Sequence, residues 1–147
     1  MPKCSELMTR EPVCCEPTDP ISKAAEVMKR EDVGSVPVVE SRSAGRLVGI
    51  VTDRDIVVKV LADGRSVEHA TVREAMTANP VSCQEDDDVS RAVSLMEERQ
   101  VRRMPVVGAD GRLSGIIAQA DIATRLNKDR TTGELVEAIS EGTNSRR

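Results

Sequence analysis

The chain carries one long internal repeat, and this repeat limits its fold more than any other feature. Three segments return in the same order. They are CSELMTREPV at 4–13 and VREAMTANPV at 72–81, VPVV at 36–39 and MPVV at 104–107, and GIVTDRDI at 49–56 and GIIAQADI at 115–122. A period of this length indicates one supersecondary unit used twice. Two similar units can form two similar clefts, and differences between the copies then indicate which cleft is used.

Length and charge exclude several classes of protein. With 147 residues, the chain is one compact domain or two halves that share a core. Its net charge of −4 argues against nucleic acid as a partner, because phosphate binding needs a basic surface. No apolar run approaches the ~20 residues of a membrane span, and no signal-peptide pattern opens the chain. We therefore expect a cytoplasmic protein with no nucleic-acid or membrane partner.

The absence of Phe, Tyr and Trp shapes both the core and any binding site. The core must be built from small branched side chains, which suit strands and close helix-on-sheet packing. A planar base could not stack on an aromatic ring in this protein. It would have to lie between aliphatic side chains and backbone.

The cysteines allow a structural or a chemical interpretation. The chain has Cys4, Cys14, Cys15 and Cys83, and His69 is its single histidine. Their spacing matches no zinc pattern and contains no C-x-x-C pair. We interpret them as buried thiols of a reduced protein and predict no metal site, with a metal or disulfide role as the alternative.

Each repeat predicts the order strand–helix–strand–strand–helix. A short strand at 13–15 precedes a helix whose apolar face recurs at helical spacing. In that helix Asp19 is the predicted N-cap, Pro20 occupies the first turn, and Gly34 ends the helix. Asp87 is the predicted N-cap of the equivalent helix in the second repeat. Strands at 36–39 and 47–51 follow, and then a helix at 53–62.

The repeats set the predicted division of the chain. The first repeat covers 1–66, the second covers 67–130, and 131–147 forms a C-terminal helix and a flexible tail. The helix prediction rests on the pattern TTGE at 131–134, which is typical of a helix start. The last residues are expected to fray.

The most informative local pattern is the junction at Thr52, where a strand ends and a helix begins. The first N–H groups of a helix are unpaired and can bind an anion. The Thr52 hydroxyl suits a phosphate, and the Asp55 carboxylate suits the two hydroxyls of a ribose. Alternatively, Thr52 is simply an N-cap and Asp55 completes a capping interaction. Spacing alone leaves both interpretations open.

The motifs M-T-x-x-P-V, P-V-V and G-h-h-T-x-x-D (h, hydrophobic), present in duplicate, resemble those of the CBS domain. Two such domains in tandem resemble a Bateman module, and the resemblance covers about residues 4–126. It implies an α/β (α+β) fold of two β-α-β-β-α repeats packed with pseudo-twofold symmetry. It also implies two clefts that bind adenine nucleotides in many members, and disc-like homodimers.

The resemblance also implies roles for individual residues. In the family, the Thr and Asp of one repeat meet residues just before the Pro-Val strand of the other. Asp55 would then bind ribose hydroxyls, while Thr52, Arg102 and Arg103 would bind phosphate, for which Arg is well suited. Groups around four aliphatic residues could line the adenine: Val36, Pro37, Ile50 and Val51. Without the repeat, the two arginines would be interpreted as an exposed pair that balances nearby glutamates.

The other predicted cleft departs from the family pattern. Ala118 stands where the first repeat has Thr52, and Gly34 and Ser35 stand where the second has its two arginines. Of the ligand-binding residues only Asp121 remains. This cleft is expected to bind anionic ligands weakly or not at all.

The combined prediction is a regulatory, adenine-nucleotide-binding sensor module with no catalytic activity of its own. An adenosyl small molecule would be its regulatory ligand, no cofactor would be required, and the effector would be a separate, unidentified polypeptide. The alternative is a structural or interaction protein with vestigial sites, which acts through dimerisation or partner binding by helices such as 53–62 and 121–126. The sequence shows no paired catalytic carboxylates and no nucleophile–base arrangement, so we predict no enzyme.

Overall fold

A computed structural model describes residues 1–129, and burial is described to residue 127. The helix and tail predicted at 131–147 lie outside the described residues. The described chain contains six α-helices, one π-helical segment and seven strands. In chain order they are α1 (Cys4–Leu7), β1 (Thr9–Arg10), α2 (Ile21–Glu31), β2 (Ser35–Val39), β3 (Leu47–Thr52), α3 (Asp53–Ile56), the π-helical segment (Val57–Leu61), α4 (Val72–Ala75), β4 (Thr77–Ala78), β5 (Cys83–Gln84), α5 (Val89–Arg99), β6 (Arg103–Val107), β7 (Leu113–Ala118) and α6 (Gln119–Asp129).

The chain divides into two compact units. One contains Met1–Glu11, Val81–Ala109 and the chain from Ser114 onward, with the sheet order β1-β7-β6-β5. The other contains Pro12–Pro80 and Asp110–Leu113, with the sheet order β2-β3-β4. We call them the first and second unit. Mixed helix and strand content in two similar units confirms the predicted fold class.

The units and the sequence repeats divide the chain differently. The segment α1-β1 opens the first repeat but lies in the first unit, where β1 pairs antiparallel with β7. The segment α4-β4 opens the second repeat but lies in the second unit, where β4 pairs antiparallel with β3. Each sheet therefore receives one edge strand from the other repeat.

Aliphatic and cysteine side chains, without any aromatic ring, fill the two cores. The core of the first unit includes Leu7, Met96 and Ile117, and that of the second includes Ile21 and Val60, all buried. Branched and unbranched aliphatic groups pack to high density without any ring. In the described chain no helix has the length and apolar character needed to cross a membrane.

The predicted N-caps were wrong by one residue. Pro20 occupies the N-cap position of α2, and the Asp19 carboxylate instead accepts the Glu16 N–H at 2.8 Å and pairs with Lys23 at 3.6 Å. Because Pro has no N–H and a fixed φ, it stands easily just outside the first helical turn.

The second repeat shows the same shift at the start of α5. Asp88 is at the N-cap position, and the Asp87 carboxylate accepts the Gln84 N–H at 2.9 Å. In both repeats the carboxylate predicted to cap the helix instead accepts a backbone N–H of the turn that precedes the helix.

Three further predictions need correction. The helix expected to end at Gly34 ends at Glu31, because Asp32 adopts a left-handed conformation with φ of 53°. The predicted strand at 13–15 is reduced to one parallel bridge from Cys15 to Val38. The helix predicted at 53–62 is present, but its second half is π-helical. The sequence analysis did not predict the short helices α1 and α4.

Two glycines allow the exchanged strands to lie close to their sheets. A Cβ built on Gly115 would lie 2.6 Å from the Thr9 carbonyl oxygen and 2.7 Å from Met8 Sδ. A Cβ on Gly49 would lie 2.7 Å from Met76 Sδ. The repeated glycine thus accommodates the methionine and strand that the other repeat supplies.

We expect Gly115→Ala to lower the free energy of unfolding by about 1–3 kcal/mol, since the new methyl group must push β1 away from β7. Chemical unfolding measures this loss. Gly34→Ala is the control, because its Cβ would meet only the Asp53 carboxylate, at 3.3 Å, and φ there is not positive. An equal loss in both variants would contradict the packing argument.

Candidate functional site

Thr52 and Asp55 form a reciprocal capping box at the junction of β3 and α3. Asp55 N–H donates to Thr52 Oγ1 at 3.1 Å, and Thr52 N–H donates to Asp55 Oδ2 at 3.0 Å. Thr52 is extended, with φ of −114° and ψ of 162°, as an N-cap residue should be. The capping interpretation, left open by the spacing, is therefore what the structure contains.

The expectation of unpaired N–H groups at the start of α3 was wrong. Asp53 N–H donates to the Gly34 carbonyl oxygen at 3.0 Å, and Arg54 N–H donates to Asp53 Oδ1 at 2.8 Å. Asp55 N–H is used by Thr52. All three donors are satisfied, and one of the acceptors is the carboxylate of Asp53, an acidic side chain of this turn. An anion would meet negative charge here and not open N–H groups.

Capping does not exhaust the hydrogen-bonding capacity of the pair. In the described residues no acceptor is recorded for the Thr52 hydroxyl proton, so this group remains a donor. A carboxylate has about four acceptor positions over its two oxygens, and the box uses one of those on Asp55. The junction thus offers one hydroxyl donor and one partly occupied carboxylate, which suits a ligand that carries hydroxyl groups.

The sequence analysis did not predict that Lys59 contacts this junction. Its Nζ lies 3.2 Å from Asp55 Oδ1 and donates to the Ala75 carbonyl oxygen at 3.1 Å. The (i, i+4) spacing of Asp55 and Lys59 could have indicated this ion pair from sequence. The contact with Ala75 could not be predicted, because it depends on α4 lying in the second unit.

The four predicted lining residues are cross-strand neighbours in the second unit. Val36 pairs with Val51, and Pro37 pairs with Ile50, across β2 and β3. Val36 and Val51 are fully buried in the core of this unit, so their side chains hold the sheet together. Because side chains alternate across a sheet, Pro37 and Ile50 lie on its other face.

Arg102 and Arg103 lie in the first unit, where β6 begins. Both are exposed, and in the described chain neither has a carboxylate within ion-pair distance. The interpretation that they balance Glu97 and Glu98 is therefore not supported by any ion pair there. The Arg102 carbonyl oxygen accepts Gln119 N–H at 2.9 Å, just as Gly34 accepts Asp53 N–H.

The corresponding junction of the second repeat is built differently. Ala118 is buried and has no hydroxyl with which to cap α6, and Asp121 is exposed. Arg125 stands where the first repeat has Lys59, yet the described residues show no ion pair between it and Asp121. The structure therefore assembles Thr, Asp and Lys at one junction only.

The four cysteines are free thiols. Cys4 and Cys83 are buried in the core of the first unit, and Cys15 is buried in that of the second. Burial raises the pKa of the Cys15 thiol to about 11 and also raises the pKa of Cys14. Over residues 1–129 no group of three or more His, Cys, Asp and Glu side chains is arranged to hold a metal ion.

Fold and repeat together define a protein built from two paired modules of similar structure. The family model of the CBS domain matches residues 4–62 and 72–128. The chain therefore belongs to the CBS-domain family and contains two copies of the domain, which confirms the resemblance drawn from its motifs.

Relatives of similar length match this chain over most of its residues. The uncharacterised protein YlbB of Bacillus subtilis is 37% identical over 144 residues, which are 98% of this chain and 95% of YlbB. Hypoxic response protein 1 of Mycobacterium tuberculosis is 34% identical over 134 residues, or 91% of each chain.

Solved structures of CBS pairs have the same fold. Hypoxic Response Protein I with two coordinated zinc ions is 33% identical, with a TM-score of 0.76 over 84% of this chain and 98% of its own. The CBS domain pair of protein MJ0100, in complex with 5′-methylthioadenosine and S-adenosyl-L-methionine, is 25% identical. Its TM-score is 0.73, over 89% of this chain and 99% of its own.

We expect Thr52→Val to lower the free energy of unfolding by about 1 kcal/mol, because the acceptor for Asp55 N–H is lost while the side-chain shape is kept. Thermal or chemical unfolding measures the change. Ala118→Thr offers the reciprocal test, since a hydroxyl at this junction can cap α6. Unchanged stability of Thr52→Val would show that the capping box contributes nothing to folding.

Proposed function

We propose that this CBS pair is a regulatory module that binds an adenine nucleotide and has no catalytic activity of its own. The observation that carries the proposal is the asymmetry between the repeats. Thr52 and Asp55 form an ordered polar junction in one repeat, whereas Ala118 and an exposed Asp121 occupy the equivalent positions in the other. The adenosyl compounds bound by the MJ0100 pair support an adenosine-containing ligand for a CBS pair of this kind.

We assign each part of the nucleotide to residues by the charge and hydrogen-bonding capacity of their side chains. Asp55 accepts the ribose hydroxyls, because a carboxylate can take two hydroxyl donors. The N–H groups at the start of α3 are already bonded, so the phosphates are assigned to the Arg102 and Arg103 side chains, with the Thr52 hydroxyl as an additional donor. Both arginines are exposed and lack ion-pair partners in the described residues, so phosphate binding would not require breaking such a pair.

Adenine recognition is proposed to be aliphatic. No aromatic ring exists in the chain, and the half-buried Ile50 presents apolar surface on the sheet face opposite the core, beside the buried Pro37. Val36 and Val51 contribute backbone only, since their side chains are buried. The base would be recognised by flat apolar contact and backbone hydrogen bonds rather than by stacking.

The second cleft keeps only Asp121 and is proposed to bind nucleotides weakly or not at all. Binding at one site would act by shifting the population of conformations that an effector, a separate polypeptide, recognises. No cofactor is required in this scheme. The four free thiols suit a reducing compartment, so the proposed location is the cytoplasm.

Titration calorimetry with AMP, ADP, ATP and S-adenosylmethionine tests the proposal. We expect one bound ligand per chain, and at least about tenfold weaker binding by Asp55→Asn, because a neutral amide accepts fewer hydroxyl donors. Arg102→Ala and Arg103→Ala should remove the preference for AMP over adenosine.

Asp121→Asn is the matched control, since it makes the same change at the equivalent position of the other repeat. It should leave the main affinity unchanged. A folded wild-type protein that binds none of these compounds would refute the proposed function. Equal losses in Asp55→Asn and Asp121→Asn would refute the asymmetry.

A specific surface favours dimerisation as a second role. Val57 and Leu61, one turn apart, and the neighbouring Val58 are each about half exposed on the π-helical segment. Contiguous exposed apolar side chains on one helix are typical of an interface. We propose that this surface joins two copies in a homodimer, which also fits an interaction protein with vestigial ligand sites.

Leu61→Glu should convert the dimer to monomer, because a buried unpaired charge opposes association. Sedimentation velocity over a range of concentrations measures the change. Val67→Glu, a similar substitution at an exposed valine away from the segment, is the control. A wild-type protein that stays monomeric, or a Leu61→Glu variant that stays dimeric, would contradict the assignment of this surface.

A further inference from the structure

Lys59 connects the proposed ribose-binding group to a helix that comes from the other repeat. Its ammonium contacts Asp55 Oδ1 on one side and the Ala75 carbonyl oxygen, at the end of α4, on the other. The last carbonyl groups of a helix have no partner within it, and a lysine nearby satisfies one of them. Lys59 therefore caps α4 and neutralises Asp55 with the same group.

Both oxygens of Asp55 are already engaged. Oδ2 accepts Thr52 N–H and Oδ1 lies against Lys59, and only 15% of the Asp55 side chain is exposed. One acceptor position remains on each oxygen, so the two hydroxyls of a ribose need both, and the hydroxyl on Oδ1 must share this oxygen with the ammonium or displace it. Binding at Asp55 and the ion pair with Lys59 are thus in competition.

Because Lys59 also holds Ala75, any shift of its ammonium affects α4 and the strand that follows, β4. Met76 N–H donates to the Val72 carbonyl oxygen at the end of α4, and β4 begins at the next residue. β4 pairs with Gly49 and Ile50 of β3, the strand that ends at Thr52. Asp55 and Ala75 are therefore already connected through the hydrogen bonds of β3, β4 and α4, and Lys59 contacts both residues directly.

We propose that Lys59 is a positioning residue that couples ligand binding at Asp55 to the attachment of α4. This inference rests on the proposed nucleotide function and adds a mechanism of regulation to it. A ligand hydroxyl that binds Asp55 weakens the hold of Lys59, and the end of α4 loosens. By reciprocity, removing the ammonium strengthens the hydroxyl contact by the same factor.

The second unit contains a matched control for this ion pair. Lys23 and Asp19 are also spaced (i, i+4), with side chains 37% and 17% exposed, against 43% and 15% for Lys59 and Asp55. Lys23 lies on α2, and within the described residues its ammonium donates to no carbonyl group. Lys23→Met therefore removes a similar ion pair without touching the end of α4 at Ala75, although the Asp19 carbonyl oxygen accepts Val72 N–H at the start of that helix, at 2.9 Å.

The test compares the affinities of AMP and of 2′,3′-dideoxy-AMP, which lacks both ribose hydroxyls. Their ratio isolates the hydroxyl contact, because effects of charge on the phosphate cancel. We expect Lys59→Met to increase this ratio about threefold, the range of a partly exposed ion pair. Lys23→Met should leave it unchanged, and Asp55→Asn should bring it close to one.

Hydrogen exchange at the Met76 amide provides the second readout. AMP should speed this exchange several-fold in the wild type. In Lys59→Met the exchange should be fast already and should not respond to AMP. A role of Lys59 in stability alone would change the exchange but not the affinity ratio. Lys59→Gln, which is neutral but retains a donor for Ala75, should raise the ratio and keep α4 protected.

The outcomes separate this inference from the function on which it rests. If the wild type does not bind AMP, both fail. If it binds AMP through Asp55, but Lys59→Met leaves the affinity ratio unchanged, only the coupling fails. A response of the Met76 amide to AMP that persists in Lys59→Met would overturn it as well.

Discussion

The fold depends on one contact made twice, the insertion of a Met-Thr strand against a glycine of the other repeat. Met8 and Thr9 lie where any side chain on Gly115 would collide, and Met76 lies against Gly49 in the same way. Without these strands each sheet would lose an edge, and β3 would have one partner instead of two. The glycines make the approach possible, and the methionines fill the space with flexible side chains. This exchange also brings α4 within reach of Lys59.

In the candidate site, the proposed binding role would use the same atoms as a local structural role. Thr52 and Asp55 cap α3, yet the cap leaves a hydroxyl donor and part of a carboxylate available. Under the inference above, the ion pair with Lys59 weakens the hydrogen bonds that the Asp55 carboxylate can accept from a ligand. The polar groups are held by one another, so a ligand would meet groups that are already oriented. In the proposed function, Arg102 and Arg103 supply the positive charge for a phosphate, and neither has an ion-pair partner in the described chain.

The sequence predicted what depends on local spacing and on comparison of the copies. The main strands and the β3–α3 junction follow from periodicity and from the repeat itself, and the fold class follows from the resemblance of the repeated motifs to the CBS domain. The N-cap positions of α2 and α5 were missed because Asp19 and Asp87 close the preceding turns, which a capping rule does not distinguish. The Lys59–Ala75 contact was missed because it joins residues that are adjacent only after α4 has crossed to the other sheet. Long-range exchange of this kind leaves no periodic trace.

The exchange of edge strands has an evolutionary consequence. A single copy of the repeat could not complete its own sheet and would have needed a strand from a second copy, as in domain swapping. An ancestral single-repeat protein would therefore have been an obligate pair of chains. Fusion of the two copies places the partner strand on the same chain, at an effective concentration of about millimolar. Once the two copies were joined covalently, their sequences could diverge without the copies separating. The two junctions could then come to differ, with a hydroxyl at Thr52 and none at Ala118.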